Sequence, residues 1–265
     1  MLDLAIIGSG PAALTAAIYA VRVGLKTTVF EKNRFGGTLP DIADLANFPG
    51  FQGPGATLAQ TLHDQAIAQG AKLEYGTCTN IHPLTIDGAT VEAKNILIAT
   101  GSEPLPLSVP TKSPISYCAL CDGPLYQNKN IVVVGGGNSA VSGAIHLAKI
   151  VKQLTLVSRS PLRADTAFIK ELKSLKNITI RENFPATTEF LDSFDGVFVF
   201  IGHRPATTFL PPEILDEKGY IITDHHHRTS IPHLLAAGDV RSGTIKQVIT
   251  AAADGAAAIV NLINH

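Results

Sequence analysis

Cysteine is scarce here, at three in 265 residues, and charge nearly cancels, at −1 overall. Cys78 stands alone and the other two form one C-x-x-C, so a second zinc knuckle is missing; the consecutive His225, His226 and His227 cannot easily converge on one ion. No metal site is therefore expected. Aromatics make up only 6% and no basic stripe or interleaved aromatic platform occurs, which argues against a nucleic-acid partner. No apolar run is long enough to span a bilayer, so no membrane span is expected. The first strand is expected at about Leu2, leaving no room for a signal peptide, and cytoplasm is the default location. What is present in quantity is apolar residue, at 45%, and glycine, at 23 positions. That balance suits an α/β protein of buried parallel strands joined by tight turns, in one large domain or two modest ones.

Leu2 to Ile7 is a short apolar run ending in Gly8-Ser9-Gly10-Pro11-Ala12-Ala13, followed by a helical stretch to about Val23, a strand from Lys26 to Phe30, and Glu31. This is a β-α-β unit with a dinucleotide fingerprint. Gly8 allows the tight turn, Gly10 lets backbone approach a pyrophosphate, and small Ala13 permits close helix packing. The N-terminus of the helix that opens at Pro11 offers free N–H groups, from Ala12 onward, to phosphate. A carboxylate at Glu31 accepts from both ribose hydroxyls and rejects a 2′-phosphate, which points to FAD or NAD.

Sliding the chain by 127 positions lays Gly8 on Gly135, Gly10 on Gly137 and Ala13 on Ala140, within Gly135-Gly136-Gly137-Asn138-Ser139-Ala140. A second dinucleotide site is expected there. The same shift lays Glu31 on Ser158, followed by Arg159 and, nearby, Arg163. Loss of the carboxylate and gain of cations reverse the preference at that ribose, since Arg can pair a phosphate ester. One site suits FAD and the other NADPH.

Cys118-Ala119-Leu120-Cys121-Asp122-Gly123 lies about one strand ahead of the second fingerprint. A C-x-x-C pair can close into a small disulfide ring, which in a reducing compartment cycles rather than staples. Asp122, beside the pair, is placed to protonate a leaving thiolate as general acid. Arg34 to Leu39, with Gly36, Gly37 and Thr38, and Asn47 to Phe51 are turn-rich segments suited to lining a flat ring.

The remaining pattern places a helix at Thr57 to Gln69 and strands at Lys72 to Tyr75 and Thr79 to Ile81, with Cys78 a small buried residue. A buried strand from Ile96 ends at Ala99-Thr100-Gly101, and Glu103 to Pro114, with four prolines, reads as a connector. Further on come a helix at Ala140 to Ile150, a strand at Leu154 to Val157, a helix at Phe168 to Leu175 and strands at Ile178 to Ile180 and Val197 to Ile201. That last strand arrives sooner after its fingerprint than Ile96 does after the first, so the second domain is the trimmed one. Leu234 to Val240 delivers Gly238 and Asp239, whose carboxylate can accept ribityl hydroxyls. A helix from about Lys246, through Gln247 and Val248, to Leu262 can stabilise negative charge near the pyrimidine side of a reduced flavin.

In their order along the chain these motifs resemble low-molecular-weight thioredoxin reductase, over nearly the whole sequence. The resemblance implies two Rossmann-like dinucleotide-binding domains, the second inserted into the first: an FAD domain of 1–106 and 232–265, and a nicotinamide domain of 107–231 carrying the dithiol. It implies a homodimer whose inserted domain rotates. It also implies electron flow from NADPH through FAD to the Cys118–Cys121 disulfide and on to thioredoxin or a thioredoxin-like protein. Cys121 is then the flavin-facing sulfur, Cys118 the one that attacks thioredoxin, and Asp122 the proton donor.

The likeness departs from the family in three places. Ser158-Arg159-Ser160 stands where the family has His-Arg-Arg, with Arg163 one position nearer, which leaves NADH or another donor as alternatives to NADPH. Thr38 stands where Gln is common. The trimmed second domain lacks room for the usual strand hairpin. The rival readings are a ferredoxin-dependent reductase, an FAD-dependent dithiol oxidase, and a non-enzymatic module holding FAD structurally.

Overall fold

A computed structural model describes residues 1–42 and 45–264. The side chains of Ala46, Leu120 and Cys121 fall outside that description. The chain divides into two compact units, Met1–Glu103 with Arg204–His265, and Pro104–His203.

The first unit is built on a five-stranded sheet in the spatial order Leu234–Ala236, Ala93–Ile98, Leu2–Ile7, Thr27–Glu31, Lys72–Tyr75. Every pair in it is parallel. Successive residues point to opposite faces, and both faces are covered. Leu4, Ile6, Leu97 and Leu235 face the helices Pro11–Arg22 and Val248–Asn264. Ala5, Ile7, Ile96, Ile98 and Ala236 face an antiparallel meander, Cys78–Ile81, Leu84–Ile86 and Ala89–Thr90. Burial on both faces explains why these strands read as unbroken apolar runs. Truncating a fully buried residue such as Leu97 to Ala is expected to cost about 2–5 kcal/mol.

The two helices meet through small residues. A Cβ added at Gly255 would lie 2.0 Å from the carbonyl oxygen of Ala12. Ala12, Ala16, Ala251 and Ala258 are buried in the same cluster. This contact brings the C-terminal helix against the N-terminus of the fingerprint helix.

The second unit repeats the sheet in the order Ile115–Ser116, Gly196–Val199, Asn130–Val134, Gln153–Val157, Ile178–Arg181, again all parallel. Its edge strand, Ile115–Ser116, comes from ahead of the fingerprint and leads straight into Cys118. Between Ile178–Arg181 and Gly196–Val199 the described residues hold a four-residue helix, Thr188–Leu191, where the first unit has its meander. The trimmed second domain is thus observed.

The elements lie close to their expected places, with three differences. The helix expected from Lys246 begins at Val248, so Lys246 and Gln247 precede it. Glu103 to Pro114, expected as a connector, does begin at the boundary between the units but is packed into the second one. Leu107 and Val109 pack into the second unit's core, and Asp192 accepts hydrogen bonds from Thr111 Oγ1 and Lys112 N.

The domain boundaries expected at 106/107 and 231/232 also shift. The first falls at 103/104, but residues 204–231 belong with the first unit. Their sparse apolar residues Leu210, Ile214 and Ile221 pack onto the sheet with Ala5, Ile7 and Ile98. Isolated leucines and isoleucines among turns carry no helical or strand period, so nothing in the pattern ties them to either side.

Candidate functional site

At the first fingerprint, Gly8 has φ +101, and a Cβ there would lie 2.5 Å from Ala99 O. Only glycine allows the turn and the approach of the next strand at once. Gly8 N donates to Phe30 O at 2.8 Å, which closes the turn onto the neighbouring strand. Pro11 opens the helix, and Gly10, at its N-cap, has no side chain to cap it. Nothing lies within 4 Å of a Cβ built on Gly10, so the space ahead of the helix N-terminus is open to a phosphate.

The Gly36-Gly37 turn lies against this cradle. Gly36 N donates to Ser9 O at 3.0 Å, and a Cβ on Gly37 would lie 3.0 Å from Gly10 Cα. Gly238 closes the other side, since its Cβ would meet Ala12 Cβ at 2.8 Å.

Glu31 ends its strand buried. Its Oε2 accepts from Ser9 Oγ at 2.7 Å and its Oε1 from Asn33 N at 2.8 Å. Each oxygen is oriented by one donor and keeps lone-pair capacity for a ribose hydroxyl. Ser9, inside the fingerprint, thus sets the carboxylate, a role sequence reasoning missed.

Asn47 Nδ2 donates to Gln247 Oε1 at 3.0 Å, joining two expected cofactor-binding residues 200 positions apart. Lys246 is hydrogen-bonded to Tyr220. Thr100 Oγ1 donates to Ala206 O at 2.8 Å, so that hydroxyl is engaged. Thr38 is exposed at the start of the 3₁₀ turn Leu39–Asp41. Val248 packs beside Leu39, Leu45 and Leu58. Burial pushes the Asp239 carboxyl up, Lys246 opposes this, and the charge of Asp254 adds to it. These groups fit an FAD: an uncapped helix end, an oriented carboxylate for ribose, and a half-covered acid for a hydroxylated chain.

The second fingerprint has the same cradle. A Cβ on Gly135 would lie 2.2 Å from Phe200 O, and nothing lies within 4 Å of one on Gly137. Ala140 is fully buried. Asn138 is turned to the neighbouring loop, its Nδ2 donating to Asp165 Oδ2 at 3.1 Å and its Oδ1 accepting from Asp165 N at 2.7 Å. Ser139 is exposed on the same helix end.

At the strand end the chemistry differs from the first site. Ser158 is buried and its Oγ donates to Ser160 O at 2.7 Å. Arg159 and Arg163 are exposed and form no ion pair among the described residues. Arg163 is brought to the fingerprint by its backbone N, which donates to Gly136 O at 2.7 Å.

Cys118 is disulfide-bonded. The expected partner, Cys121, has a side chain outside the described residues. Ser116, 3% exposed, clamps the Cys118 backbone from both sides: its Oγ donates to Cys118 O at 3.2 Å and accepts from Cys118 N at 3.1 Å. Asp122 N also donates to Cys118 O, at 3.2 Å. The helix Ala119–Asp122 and the turn after it rest on the fingerprint helix Asn138–Ala148, where a Cβ on Gly123 would meet Leu147 Cδ2 at 3.0 Å. Burial pushes the Tyr126 hydroxyl up, and the nearby Asp122 charge adds to it. Cys78 is a buried free thiol that burial raises to about 11, separate from this chemistry.

Comparison with known proteins follows the same outline. Residues 2–255 match the model of the pyridine nucleotide-disulphide oxidoreductase family. A thioredoxin reductase of Treponema pallidum (strain Nichols) is 37% identical, covering 97% of this chain and 94% of its own. A 34.2 kDa protein in the rubredoxin operon of Clostridium pasteurianum is 38% identical with the same coverage, 97% and 94%. Among solved structures, the thioredoxin reductase of Lactococcus lactis superposes with a TM-score of 0.93 at 30% identity, over 100% of this chain and 98% of that one. That of T. acidophilum gives 0.90 at 31% identity, over 99% and 98%.

Proposed function

Since the chain belongs to the pyridine nucleotide-disulphide oxidoreductase family, on its thioredoxin reductase branch, we propose that it carries electrons from NADPH, by way of FAD, to the Cys118–Cys121 disulfide and on to a thioredoxin-like protein. The observation that carries this reading is a disulfide-bonded Cys118 immediately ahead of a short helix, Ala119–Asp122, that is seated against the helix of the second fingerprint. FAD, when bound, supplies the two-electron chemistry that links a nicotinamide hydride donor to a disulfide.

The chain's own residues do the rest. Gly8, Gly10 and the N-terminus of the helix from Pro11 hold a pyrophosphate, with Gly36, Gly37, Ala99 and Gly238 closing around it. Glu31 holds a ribose and Asp239 a hydroxylated chain. Asn47, Lys246 and Gln247 form the polar rim. In the second unit, Gly135 to Ala140 hold the nicotinamide coenzyme, and Arg159 and Arg163 pair its 2′-phosphate.

Reducing one disulfide takes two electrons and two protons. A hydride brings both electrons and one proton, and the second proton is drawn from solvent through Asp122. Cys118 then attacks the partner's disulfide as thiolate, and Cys121 resolves the mixed disulfide. A homodimer and a cytoplasmic location belong to the same reading, supported by the family likeness and by the sparing use of cysteine. Among the described residues no helix is long and apolar enough to cross a membrane.

Anaerobic stopped-flow mixing with NADPH, NADH and reduced ferredoxin, one at a time, tests the donor. Fast flavin bleaching by NADPH and slow bleaching by the others is the expected result. Bleaching by reduced ferredoxin alone would replace the donor assignment, and a protein that holds no FAD would end the reading.

A further inference from the structure

Asp254 lies in the helix Val248–Asn264 and gathers three segments. Its Oδ2 accepts from Gly238 N at 3.0 Å and from Arg241 Nη1 at 2.6 Å. Its Oδ1 faces His227 Nε2 at 3.3 Å. The network extends outward, with Arg241 Nε donating to Thr223 Oγ1 at 2.9 Å and Asn261 Nδ2 lying 3.4 Å from His227 Nδ1. The side chains of His227, Arg241 and Asp254 are 8%, 14% and 22% exposed.

A charge pair this covered is a weak source of net stability, because desolvation offsets the attraction. Its worth lies in the geometry it fixes. The Gly238 N–H that Asp254 receives belongs to the residue where the chain leaves the sheet, at φ +79, packed against Ala12 of the first fingerprint. Asp239 follows at once. Burial and the charges of Lys246 and Asp254 act on its carboxyl, and among the described residues no hydrogen-bond donor does. A carboxyl held in place with its acceptor capacity unspent is ready for hydroxyls of a ligand.

We propose that Asp254, with Arg241 and His227, is a positioning residue for the flavin site, holding the Gly238 N–H so that the Asp239 carboxyl meets the hydroxylated chain of the bound flavin nucleotide. This rests on the reading of the first fingerprint as an FAD site. It also gives residues 204–231 a task, since His227 and Thr223 come from that segment.

Apoprotein titrated with FAD, followed by flavin fluorescence and by the absorbance fine structure of the bound flavin, tests it. Asp254→Ala should weaken FAD binding by about tenfold or more and blur the fine structure toward that of free FAD. Asp254→Asn keeps an oxygen for Gly238 N–H and should stay within about threefold of wild type. Leu210→Ala, a cut in the opposite core cluster, serves as a control for lost stability and should leave the flavin spectrum unchanged. Should Asp254→Ala not refold, Arg241→Gln takes its place with the same expectation.

An Asp254→Ala chain that binds FAD as wild type does, with the same spectrum, would overturn the inference alone. So would a Leu210→Ala chain of equal melting temperature that loses as much affinity. A wild-type chain that takes up no FAD would overturn the proposed function as well.

Discussion

The two nucleotide-binding units share a cradle and part ways one strand later. In each, a Cβ on the first glycine would meet a carbonyl of the adjoining strand's exit, Ala99 O at 2.5 Å and Phe200 O at 2.2 Å, while the glycine two residues on faces open space. At the end of the second strand one unit has a carboxylate gripped by Ser9 and Asn33. The other has Ser158, its hydroxyl spent on Ser160 O, with the exposed guanidinium groups of Arg159 and Arg163 nearby, which form no ion pair among the described residues. On the proposed reading, the cradle meets what all dinucleotides share, and the strand end sets which one is admitted. The lesson extends to accessory structure: the first unit covers its sheet with a meander and with residues 204–231, and the second spends its edge strand on delivering the dithiol.

The sharpest way to break this comparison is to fill the two cradles in turn. A Cβ at Gly10 or Gly137 has no protein atom within 4 Å, so Gly10→Val and Gly137→Val should fold but block phosphate. We expect Gly10→Val to lose FAD affinity by roughly a hundredfold or more, and Gly137→Val to keep its flavin yet lose reduction by nicotinamide. Flavin content after gel filtration and anaerobic stopped-flow read these separately. A Gly137→Val chain that loses FAD would show that the cradles were assigned the wrong way round.

The strand ends come next. Arg159→Ala with Arg163→Ala should raise the KM for NADPH by about ten- to a hundredfold and leave that for NADH within about threefold. Glu31→Gln should weaken FAD by about tenfold without touching either KM. Equal losses with both coenzymes in the double variant would remove the phosphate-reading role.

A smaller effect is expected where Ser116 clamps Cys118. Ser116→Ala frees both backbone groups and should shift the dithiol's equilibrium with a glutathione buffer by about two- to fivefold, with Ser116→Thr restoring it. An unmoved equilibrium would reduce Ser116 to a structural residue.

Smallest is a pH effect at Asp254. Burial raises its carboxyl, but the hydrogen bonds from His227 and Arg241 outweigh it and hold the group below its usual range. A depressed folded value means the stabilisation is present above the unfolded value, near about pH 4, and is lost as pH falls through the folded one. The gap in melting temperature between wild type and Asp254→Asn should thus be widest near neutrality and close in acid. A gap that is flat with pH would contradict the charge-based account.

Much of this was legible in the chain itself. Glycines at fixed offsets, a strand before them and an acid or a cation after them are local signals, and C-x-x-C-Asp is another. What was not legible depends on contacts across long separations. Residues 204–231 lack a period, so their place in the first unit emerges only when Leu210 and Ile214 meet Ile7 and Ile98. Asp254 reads as one acid in an alanine-rich helix until Gly238 and Arg241 are folded onto it. Ser9 and Ser116 are small hydroxyls beside louder motifs, and only the folded chain shows which group each one holds.

The central claim is that a flavin held by the first unit reduces the bond that Cys118 makes. Purified protein, loaded with FAD and photoreduced without oxygen, should yield newly alkylatable thiols at Cys118 and Cys121 as the flavin recovers its oxidised colour, with Cys78 unlabelled until the chain is unfolded. Flavin that stays bleached while both thiols remain inaccessible to alkylation would contradict the account.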